Sequence, residues 1–357
     1  MKIVLSGYYG FHNTGDEAIL KAMIQQLKAI EPTIHITVLS QNPAHTKETY
    51  GVDAVNRWRF KEIAKVLKES DGLISGGGSL LQDATGPRSV LYYTGIIHLA
   101  KWLKKPVYVY AQGMGPFYKK SSRRLVRLAL NRVEGLSVRD QHSRQLLEEI
   151  KVSPTVHLFP DPVFGYDFHP QSIGKPAEKL VLAVSIREWK GGEKYRDKLT
   201  SVLDHYSKNG FVIHFVPMHG TSDEAFSAKM AAFLSEETVV HSGDLSIDEK
   251  LSIISQSHLL IGMRLHALIF AGICNVPFAA LSYDPKIDAL AEQLDFPVTA
   301  HVDDDSWSPQ SLIEEIDRLC ASLEFYKEKL SARVRPLRSE ATQATKEALA
   351  CFRRHKK

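Results

Sequence analysis

A chain of 357 residues is longer than a single hydrophobic core usually supports, so two domains are expected. With 44% hydrophobic and 24% charged residues, the composition is that of a globular protein and excludes a disordered or fibrous chain. A net charge of +4 is too small to indicate nucleic-acid binding, and three cysteines without a CxxC spacing predict neither a disulfide framework nor a zinc site.

The chain opens on a short apolar run, residues 3–6, which predicts a first β-strand and not a signal peptide. We therefore expect a cytoplasmic protein. The most apolar window, residues 259–281, approaches the length of a membrane span, but Arg264, His266 and Pro277 interrupt it. It is interpreted as a buried strand-helix-strand.

The first half of the chain alternates β-type runs with segments of helical periodicity. Strands are predicted at residues 3–6, 34–39, 72–75, 107–111, 136–138 and 156–158, and helices at residues 16–30, 60–68, 90–104 and 121–132. Such alternation predicts an α/β fold with a mostly parallel sheet covered by helices on both faces. Residues 1–165 are expected to form an N-terminal Rossmann-like domain.

A glycine-containing loop follows the first predicted strand and leads into a helix. It includes Gly10, Asn13, Gly15 and Asp16. Glycines let a backbone approach a ligand closely, and a helix N-terminus favours anions. The spacing departs from GxGxxG and no Walker lysine follows, which argues against ordinary dinucleotide or P-loop binding. Asp16 has two interpretations, the N-cap of the helix and a functional carboxylate.

Two further turns follow apolar strands in this half. Gly76, Gly77 and Gly78 form a run, which is costly unless something approaches closely; a tight strand-to-helix turn is the alternative. Gln112 begins the other turn, after residues 107–111. Together, the three strand ends predict a carbohydrate-accepting surface.

A basic helix is predicted near residues 119–132, with an apolar face opposite its charges. Its basic residues are Lys119, Lys120, Arg123, Arg124, Arg127 and Arg132. One interpretation is a solvated helix face, and the other is contact with anionic lipid or a diphosphate carrier.

Residues 166–176, rich in proline and glycine, are predicted to be an interdomain linker. Strands are then predicted at residues 180–186, 211–216, 239–241, 259–261 and 278–281, with helices that include residues 222–234 and 247–256. Residues 177–335 are expected to form a second Rossmann-like domain, with the active site in a cleft between the two domains. Final helices are predicted at residues 310–329 and 338–352, and segment 336–357 is expected to pack back on the first domain.

Cationic side chains follow three predicted strands: Arg139, Arg187 and Arg264. For each arginine, the alternative to a functional role is a structural ion pair. This alternative is strongest for Arg139, because an aspartate follows it directly. Arg264 lies with His266 in an apolar segment, where an unpaired charge is expensive and a ligand or a carboxylate partner is required. His266 is either a hydrogen-bonded core histidine or a proton donor. Lys286 is either a further cation of this region or a solvated residue.

The order of these motifs resembles that of the polysaccharide pyruvyl transferases, and it is especially similar to the bacterial CsaB type, which modifies secondary cell-wall polysaccharide. The motifs are the opening loop with Asn13 and Gly15-Asp16-Glu17, residues 75–78, Gln112-Gly113, Val138-Arg139-Asp140, and Arg264-Leu265-His266. The resemblance extends from Lys2 to about Lys286. Each motif is short, and it is their order and spacing that indicate the family.

The resemblance implies a two-lobed fold like that of GT-B glycosyltransferases, phosphoenolpyruvate as the donor, and no metal or other cofactor. It implies that Arg139, Arg264 and His266 occupy donor-binding and catalytic positions, with the backbone around Leu265 against the donor. It also suggests an N-acetylmannosamine acceptor on a lipid diphosphate.

The residue types fit ketal formation from an enol phosphate, which requires a proton donor and several cations. His266 is the expected general acid and Asp16 the acceptor-side base. The expected donor-binding residues are Arg139, Arg187, Arg264, Leu265 and Lys286, and the expected acceptor-binding residues are Gly10, Asn13, Gly15, Gly76, Gly77, Gly78 and Gln112. Residues 1–165 are the expected acceptor side of the protein, and residues 177–335 are the expected donor side.

Two other functions stay open at this point. A nucleotide-sugar glycosyltransferase would use the same two lobes and release a nucleoside diphosphate. A non-catalytic saccharide- or phosphate-binding protein would bind phosphoenolpyruvate without releasing phosphate.

Overall fold

The computed structural model describes residues 1–84, 86–170, 179–189 and 191–355, and the chain divides into two compact units. The first unit consists of Met1–Asp167 and Leu337–Lys357, and the second of Phe168–Pro336. Residues 171–176 of the predicted linker and the last two residues of the basic tail lie outside the described residues.

The first unit contains a seven-stranded parallel sheet in the order β3-β2-β1-β4-β5-β6-β7. The strands are β1 (Lys2–Tyr9), β2 (His35–Ser40), β3 (Asp53–Asn56), β4 (Gly72–Gly76), β5 (Val107–Gln112), β6 (Gly135–Val138) and β7 (His157–Leu158). Strands β4 and β5 are buried throughout, as expected of central strands with helices on both faces. The strand order reverses between β1 and β4, and ligands of such sheets bind beyond the carboxyl ends of strands at this reversal.

The helices that alternate with these strands are α1 (Thr14–Ile30), α2 (Pro43–Tyr50), α3 (Phe60–Glu69), α4 (Arg88–Trp102), α5 (Lys120–Leu130) and α6 (Gln141–Glu149). A short 3-10 helix, Pro162–Gly165, follows β7. The buried side chains of α3, α4 and α5 form one apolar cluster with those of the strands.

The second unit repeats this plan with a six-stranded parallel sheet in the order β10-β9-β8-β11-β12-β13. The strands are β8 (Leu180–Ser185), β9 (Phe211–Phe215), β10 (Thr238–Val240), β11 (Leu259–Gly262), β12 (Phe278–Ser282) and β13 (Val298–His301). The helices are α7 (Glu193–Lys208), α8 (Gly220–Ala231), α9 (Ile247–Ser255), α10 (Leu265–Ile273), α11 (Pro285–Leu294) and α12 (Pro309–Ala321). Here the strand order reverses between β8 and β11.

A long helix, α13 (Leu323–His355), ends the described chain and contributes its residues from Leu337 onward to the first unit. Thr345 Oγ1 lies 2.5 Å from the hydroxyl of Tyr110 on β5, and it donates to Oε1 of Gln26 on α1 at 3.0 Å. The ring of Phe352 lies so close to Gly72 that a Cβ there would collide with it.

The α/β fold with two parallel sheets is confirmed. The predicted ends of the last two helices are wrong. Helix α12 ends before Ser322, whose φ of −139° is not helical, and α13 then begins at Leu323 and continues through Pro336. A proline usually ends a helix, which is why the sequence pattern favours a boundary near it. None of the helices in the described ranges combines the length and apolar character that a membrane span needs.

Candidate active site

The loop after β1 turns into α1 at Asn13. Its Oδ1 accepts hydrogen bonds from the backbone N–H groups of Gly15 and Asp16 at 3.0 and 3.4 Å. Asn13 is therefore the N-cap, and the interpretation of Asp16 as the cap is wrong. Glu17 is buried and its Oε1 accepts from the backbone N–H of Gly10 at 2.7 Å. Asn13 and Glu17 thus hold the loop, and the cap does not require the carboxylate of Asp16.

The glycine run follows β4 and lies against Asp16. Gly77 and Gly78 have φ values of 97° and 55°, which L side chains rarely adopt. A Cβ on Gly78 would collide with Oδ1 of Asp16. The close approach predicted by the glycines therefore comes from a carboxylate of the same unit, located where the strand order reverses.

Gln112 ends β5 and is fully buried. Its Nε2 donates to the backbone oxygen of Ser75 at 2.8 Å and to its Oγ at 3.1 Å. These bonds join the carboxyl ends of β5 and β4 immediately below the glycine run.

Arg139 follows β6 and is buried. Its Nη1 lies 3.0 Å from Oδ2 of Asp161, which is also buried, and its Nη2 donates to Oγ of Ser79 at 3.2 Å. The ion pair gives Arg139 the structural role that was its alternative interpretation. Ser79 follows Gly78, so the guanidinium also lies beside the glycine run.

In the second unit, Arg264 follows β11 and directly precedes α10. Its Nε donates to Oδ2 of Asp223 at 2.9 Å and its Nη2 donates to Oδ1, which makes a bidentate pair. Asp223 lies on α8, is 1% exposed, and also accepts from the backbone N–H of Met218 at 3.2 Å. Asp223 is thus the carboxylate partner that a charge in this segment requires. The sequence does not predict it, because an aspartate on a helix carries no motif.

Arg187 follows β8, which is the neighbour of β11 in the sheet. Its guanidinium carbon lies 5.5 Å from the ring centroid of Trp189 and 5.1 Å from that of Tyr283. It forms no ion pair with any residue that the structure describes, and within that part of the chain its Nε has no hydrogen-bond partner. Aromatic rings stabilise a cation but accept few of its N–H bonds, so Arg187 can bind an anion.

A pocket of about 540 Å³ lies beside these two arginines. Its lining includes Arg187, Trp189, Tyr195, Asp223 and Arg264. His219, which immediately precedes α8, is close to the same charges: burial lowers its pKa, and so do the charges of Arg264 and Arg187, while that of Asp223 opposes them. No sequence motif indicates His219, because a single histidine in a loop has no characteristic spacing.

Leu265 and His266 are the first two residues of α10, directly after Arg264. His266 is half-buried, and the helix N-terminus at which it lies favours negative charge. The sequence motif therefore brings an arginine, two backbone N–H groups and an imidazole to one helix end.

Lys286 lies in the first turn of α11, after β12. Its Nζ is 3.0 Å from Oδ2 of Asp284 and 5.5 Å from the ring centroid of Tyr283. Because Tyr283 also contacts Arg187, the ends of β8 and β12 are linked through one aromatic ring.

The predicted site residues thus form two groups, one in each unit. The first contains Asp16, the glycine run and Arg139, and the second contains Arg187, Arg264, Leu265, His266 and Lys286. Across the described ranges, no three His, Cys, Asp or Glu side chains are placed to hold a metal ion.

Comparison with known proteins identifies relatives in sequence and in structure. Residues 13–285 match the model of the family described as polysaccharide pyruvyl transferase. The amylovoran biosynthesis protein AmsJ of Erwinia amylovora is 22% identical over 417 aligned positions, which cover 98% of this chain and 99% of that protein.

Among solved structures, a putative UDP-N-acetylglucosamine 2-epimerase from Listeria monocytogenes aligns with a TM-score of 0.70 and 13% identity, over 99% of this chain and 96% of its own. A glycosyltransferase from Rickettsia africae aligns with a TM-score of 0.64 and 12% identity, over 100% and 98%. These likenesses show the α/β fold of GT-B glycosyltransferases and epimerases. Because the family match spans most of the sequence, the chain belongs to the polysaccharide pyruvyl transferase family.

Proposed function

We propose that this pyruvyl transferase of polysaccharide biosynthesis takes its pyruvyl group from phosphoenolpyruvate and places it on a sugar as a ketal. The observation that supports this donor is the pair Arg187 and Arg264, which follow the two strands at the order reversal of one sheet and line one pocket. Phosphoenolpyruvate carries a carboxylate and a phosphate, and arginine binds both through paired N–H donors. Arg187, which has no ion pair within the described residues, supplies the uncompensated charge.

The chemistry requires proton transfers and no change of redox state. The methylene carbon of the donor takes a proton, for which His266 is the proposed acid. One sugar hydroxyl adds to the adjacent carbon and gives up its proton, with Asp16 as the proposed base. Phosphate then leaves with the electrons of the carbon–oxygen bond, and a second hydroxyl adds to the same carbon and loses its proton. No phosphorus–oxygen bond breaks, so the magnesium clamp of phosphoryl transfer is less needed, and we propose a reaction without a metal or other cofactor.

Arg139 and Lys286 are further proposed donor contacts, and both rest more on the resemblance than on their surroundings. Arg139 already has Asp161 as a partner, and Lys286 already has Asp284. Either cation could still add a contact to an anion, since each has N–H donors beyond those in its ion pair.

For the acceptor we propose an N-acetylmannosamine residue of a lipid-linked cell-wall polysaccharide precursor, modified in the cytoplasm. The proposed acceptor residues are Gly10, Asn13, Gly15, Gly76, Gly77, Gly78 and Gln112. Support comes from the place of the glycine run beyond the reversal of strand order in the first sheet. The naming of AmsJ for amylovoran biosynthesis also supports a polysaccharide acceptor.

We further propose that α4 and α5 form a docking face for anionic lipid, where such an acceptor would be met. The two helices pack side by side, and residues 113–133 contain no acidic residue. Arg123 and Arg124 are exposed on α5, as is Leu128. On α4, Leu91 is exposed and Trp102 is 78% exposed. Basic and apolar side chains on one face are the combination that binds anionic membrane surfaces.

The test is incubation of the purified protein with phosphoenolpyruvate and a panel of lipid-linked and synthetic glycosides. The expected result is phosphate release together with a glycoside mass gain equal to one pyruvate ketal. A parallel incubation with UDP-sugars distinguishes a glycosyltransferase, which would release UDP and leave phosphoenolpyruvate intact. Binding of phosphoenolpyruvate without phosphate release on any acceptor would instead indicate a binding protein.

A further inference from the structure

Arg57, which lies in none of the sequence motifs, contacts several aromatic side chains of the first unit. It follows β3 and is only 4% exposed. Its guanidinium carbon lies 4.1 Å from the ring centroid of Tyr92, 5.1 Å from that of Phe11 and 5.3 Å from that of Trp58. It makes no ion pair with any residue in the described ranges, and it donates to the backbone oxygen of Gly7 at 3.3 Å.

Phe11 and Trp58 both contact Arg57, and Tyr8 stacks on Phe11; we call these three side chains the aromatic surface. Tyr8 and Phe11 stack in parallel, with 3.9 Å between ring centroids and 1° between planes. Trp58 is 54% exposed, and its Nε1 donates to Oε1 of Gln41 at 2.9 Å. Exposed aromatic rings held this firmly are costly to leave in water and are pre-organised for a ligand.

The aromatic surface belongs to the strand ends where the proposed acceptor residues lie. Tyr8 is on β1 and Trp58 follows β3, and these strands flank β2 in the sheet. The carboxylate of Asp16 is close to Tyr8: burial raises the pKa of Tyr8, and the charge of Asp16 raises it further. The surface therefore combines flat apolar rings with polar groups of Gln41 and Asp16 at one sheet edge.

We infer that the aromatic surface binds the apolar face of the acceptor sugar, with Trp58 as the main contact. One face of a pyranose presents C–H bonds with a slight positive charge, which complements the negative face of an aromatic ring. Binding sites for small polar ligands commonly combine such rings with a few polar groups. This inference rests on the proposed function for the nature of the ligand, and it adds a binding residue, Trp58, that lies in none of the sequence motifs.

The test uses soluble methyl glycosides of N-acetylmannosamine and galactose, without phosphoenolpyruvate. We expect a glycoside to change the tryptophan fluorescence of the wild-type protein, and Trp58→Phe to remove the change while retaining affinity within about threefold. Trp58→Ala should weaken glycoside binding about tenfold or more, measured by calorimetry. Phe233→Ala, which removes an aromatic side chain that is 64% exposed in the second unit, is the matched control.

Two binding results would overturn the inference: unchanged glycoside affinity in folded Trp58→Ala, or a fluorescence response of Trp58 to phosphatidylglycerol vesicles and to no glycoside. Phosphate release from phosphoenolpyruvate, measured on the same variants, separates this inference from the proposed function. If glycoside binding depends on Trp58 but phosphoenolpyruvate releases no phosphate with any acceptor, the saccharide site is supported and ketal formation is contradicted. If phosphate release is normal in Trp58→Ala, ketal formation stands and the saccharide site fails.

Discussion

Arg187 and Arg264 follow neighbouring strands of one sheet, but their charges are balanced in different ways. Arg264 has a bidentate partner in Asp223, whereas Arg187 contacts two aromatic rings. Removing one member of a buried ion pair leaves the other charge uncompensated, while removing a cation held by rings does not. The two arginines should therefore differ in what they contribute to folding, even if both bind the donor.

We expect Arg187→Ala to lower phosphoenolpyruvate affinity by roughly 2–4 kcal/mol with little change in melting temperature. Arg264→Ala should lower both, because Asp223 is left buried without its partner. Arg264→Lys should stay impaired in binding, since an ammonium cannot make the paired contact. Calorimetric binding and thermal unfolding measure these effects, and Arg333→Ala is the control, because Arg333 is exposed and paired with Asp295. Wild-type donor affinity in both alanine variants would mean that the donor binds elsewhere.

His266 should act on turnover more than on binding. A proton transferred in the transition state contributes typically about 10²–10⁴-fold to rate, so His266→Ala should lose that factor in phosphate release while binding phosphoenolpyruvate normally. Circular dichroism must first show that the variant is folded. Normal turnover would assign His266 to the core of the second unit and leave the proton donor to another group, with His219 the next to replace.

Asp16 can now be tested without the ambiguity of a helix cap. Because Asn13 caps α1, Asp16→Asn should leave the melting temperature and donor affinity near their wild-type values. If Asp16 is the base, the same substitution should lower the rate of phosphate release by about 10²–10⁴-fold. Asn13→Ala is the contrasting variant, since it should lower stability by about 1 kcal/mol through the lost cap. A wild-type rate in Asp16→Asn would remove this carboxylate from the mechanism.

At the scale of elements, the strands with continuous apolar runs were predictable, whereas two short edge strands, β3 and β13, were not predicted. β4 and β5 are buried throughout and follow directly from their composition. β3 and β13 are four residues each and only partly buried, so their polar composition resembles that of loops. The pairing that makes them strands comes from a neighbour far away in sequence.

The α4–α5 face should bind anionic vesicles through charge. We expect the wild-type protein to sediment with phosphatidylglycerol-containing vesicles, and less so as salt is added. Reversing Arg123, Arg124 and Arg127 to glutamate should abolish the effect. Reversing Lys61, Lys65 and Lys68, exposed on α3, gives a control with the same change of net charge. Equal loss in both variants would mean that only net charge matters, and no docking face would then exist.

Two neighbouring histidines, His214 on β9 and His241 directly after β10, should make stability depend on pH. His241 Nε2 lies 3.1 Å from His214 Nδ1, and burial, followed by the charge of His214, lowers the pKa of His241 to about 4. A histidine in the unfolded chain has a pKa of about 6.5, so between about pH 4 and 6.5 the unfolded state binds more protons than the folded state. Stability should therefore rise with pH between about 4 and 6.5, and it should be lost as pH falls through that window.

The check is the urea midpoint of unfolding at pH 5 and pH 7. His241→Asn should reduce the difference between the two, whereas His142→Asn, at an exposed position of α6, should not. An undiminished difference in His241→Asn would assign the pH dependence to other groups.

At the scale of the whole molecule, the sequence predicted which strand-end residues lie near one another better than it predicted the partners of individual side chains. Parallel strands place their carboxyl ends on one edge, so Asp16, Gly78 and Arg139 could be expected to lie together. Asp223 lies 41 positions from Arg264, and Arg57 lies 36 positions from Tyr93, to which it donates. No local spacing reports such contacts, because they arise only once the helices have packed.

The last helix has a consequence for how the protein is made. The sheet of the first unit is complete in sequence by Asp167, but Tyr110 and Gln26 reach their partner Thr345 only after residues from Leu337 onward exist. During synthesis from the N-terminus, the second unit can therefore finish folding before the first. The order in which the two units are completed is thus the reverse of their order in the sequence. Until α13 emerges from the ribosome, the first sheet lacks the Phe352 ring that covers Gly72.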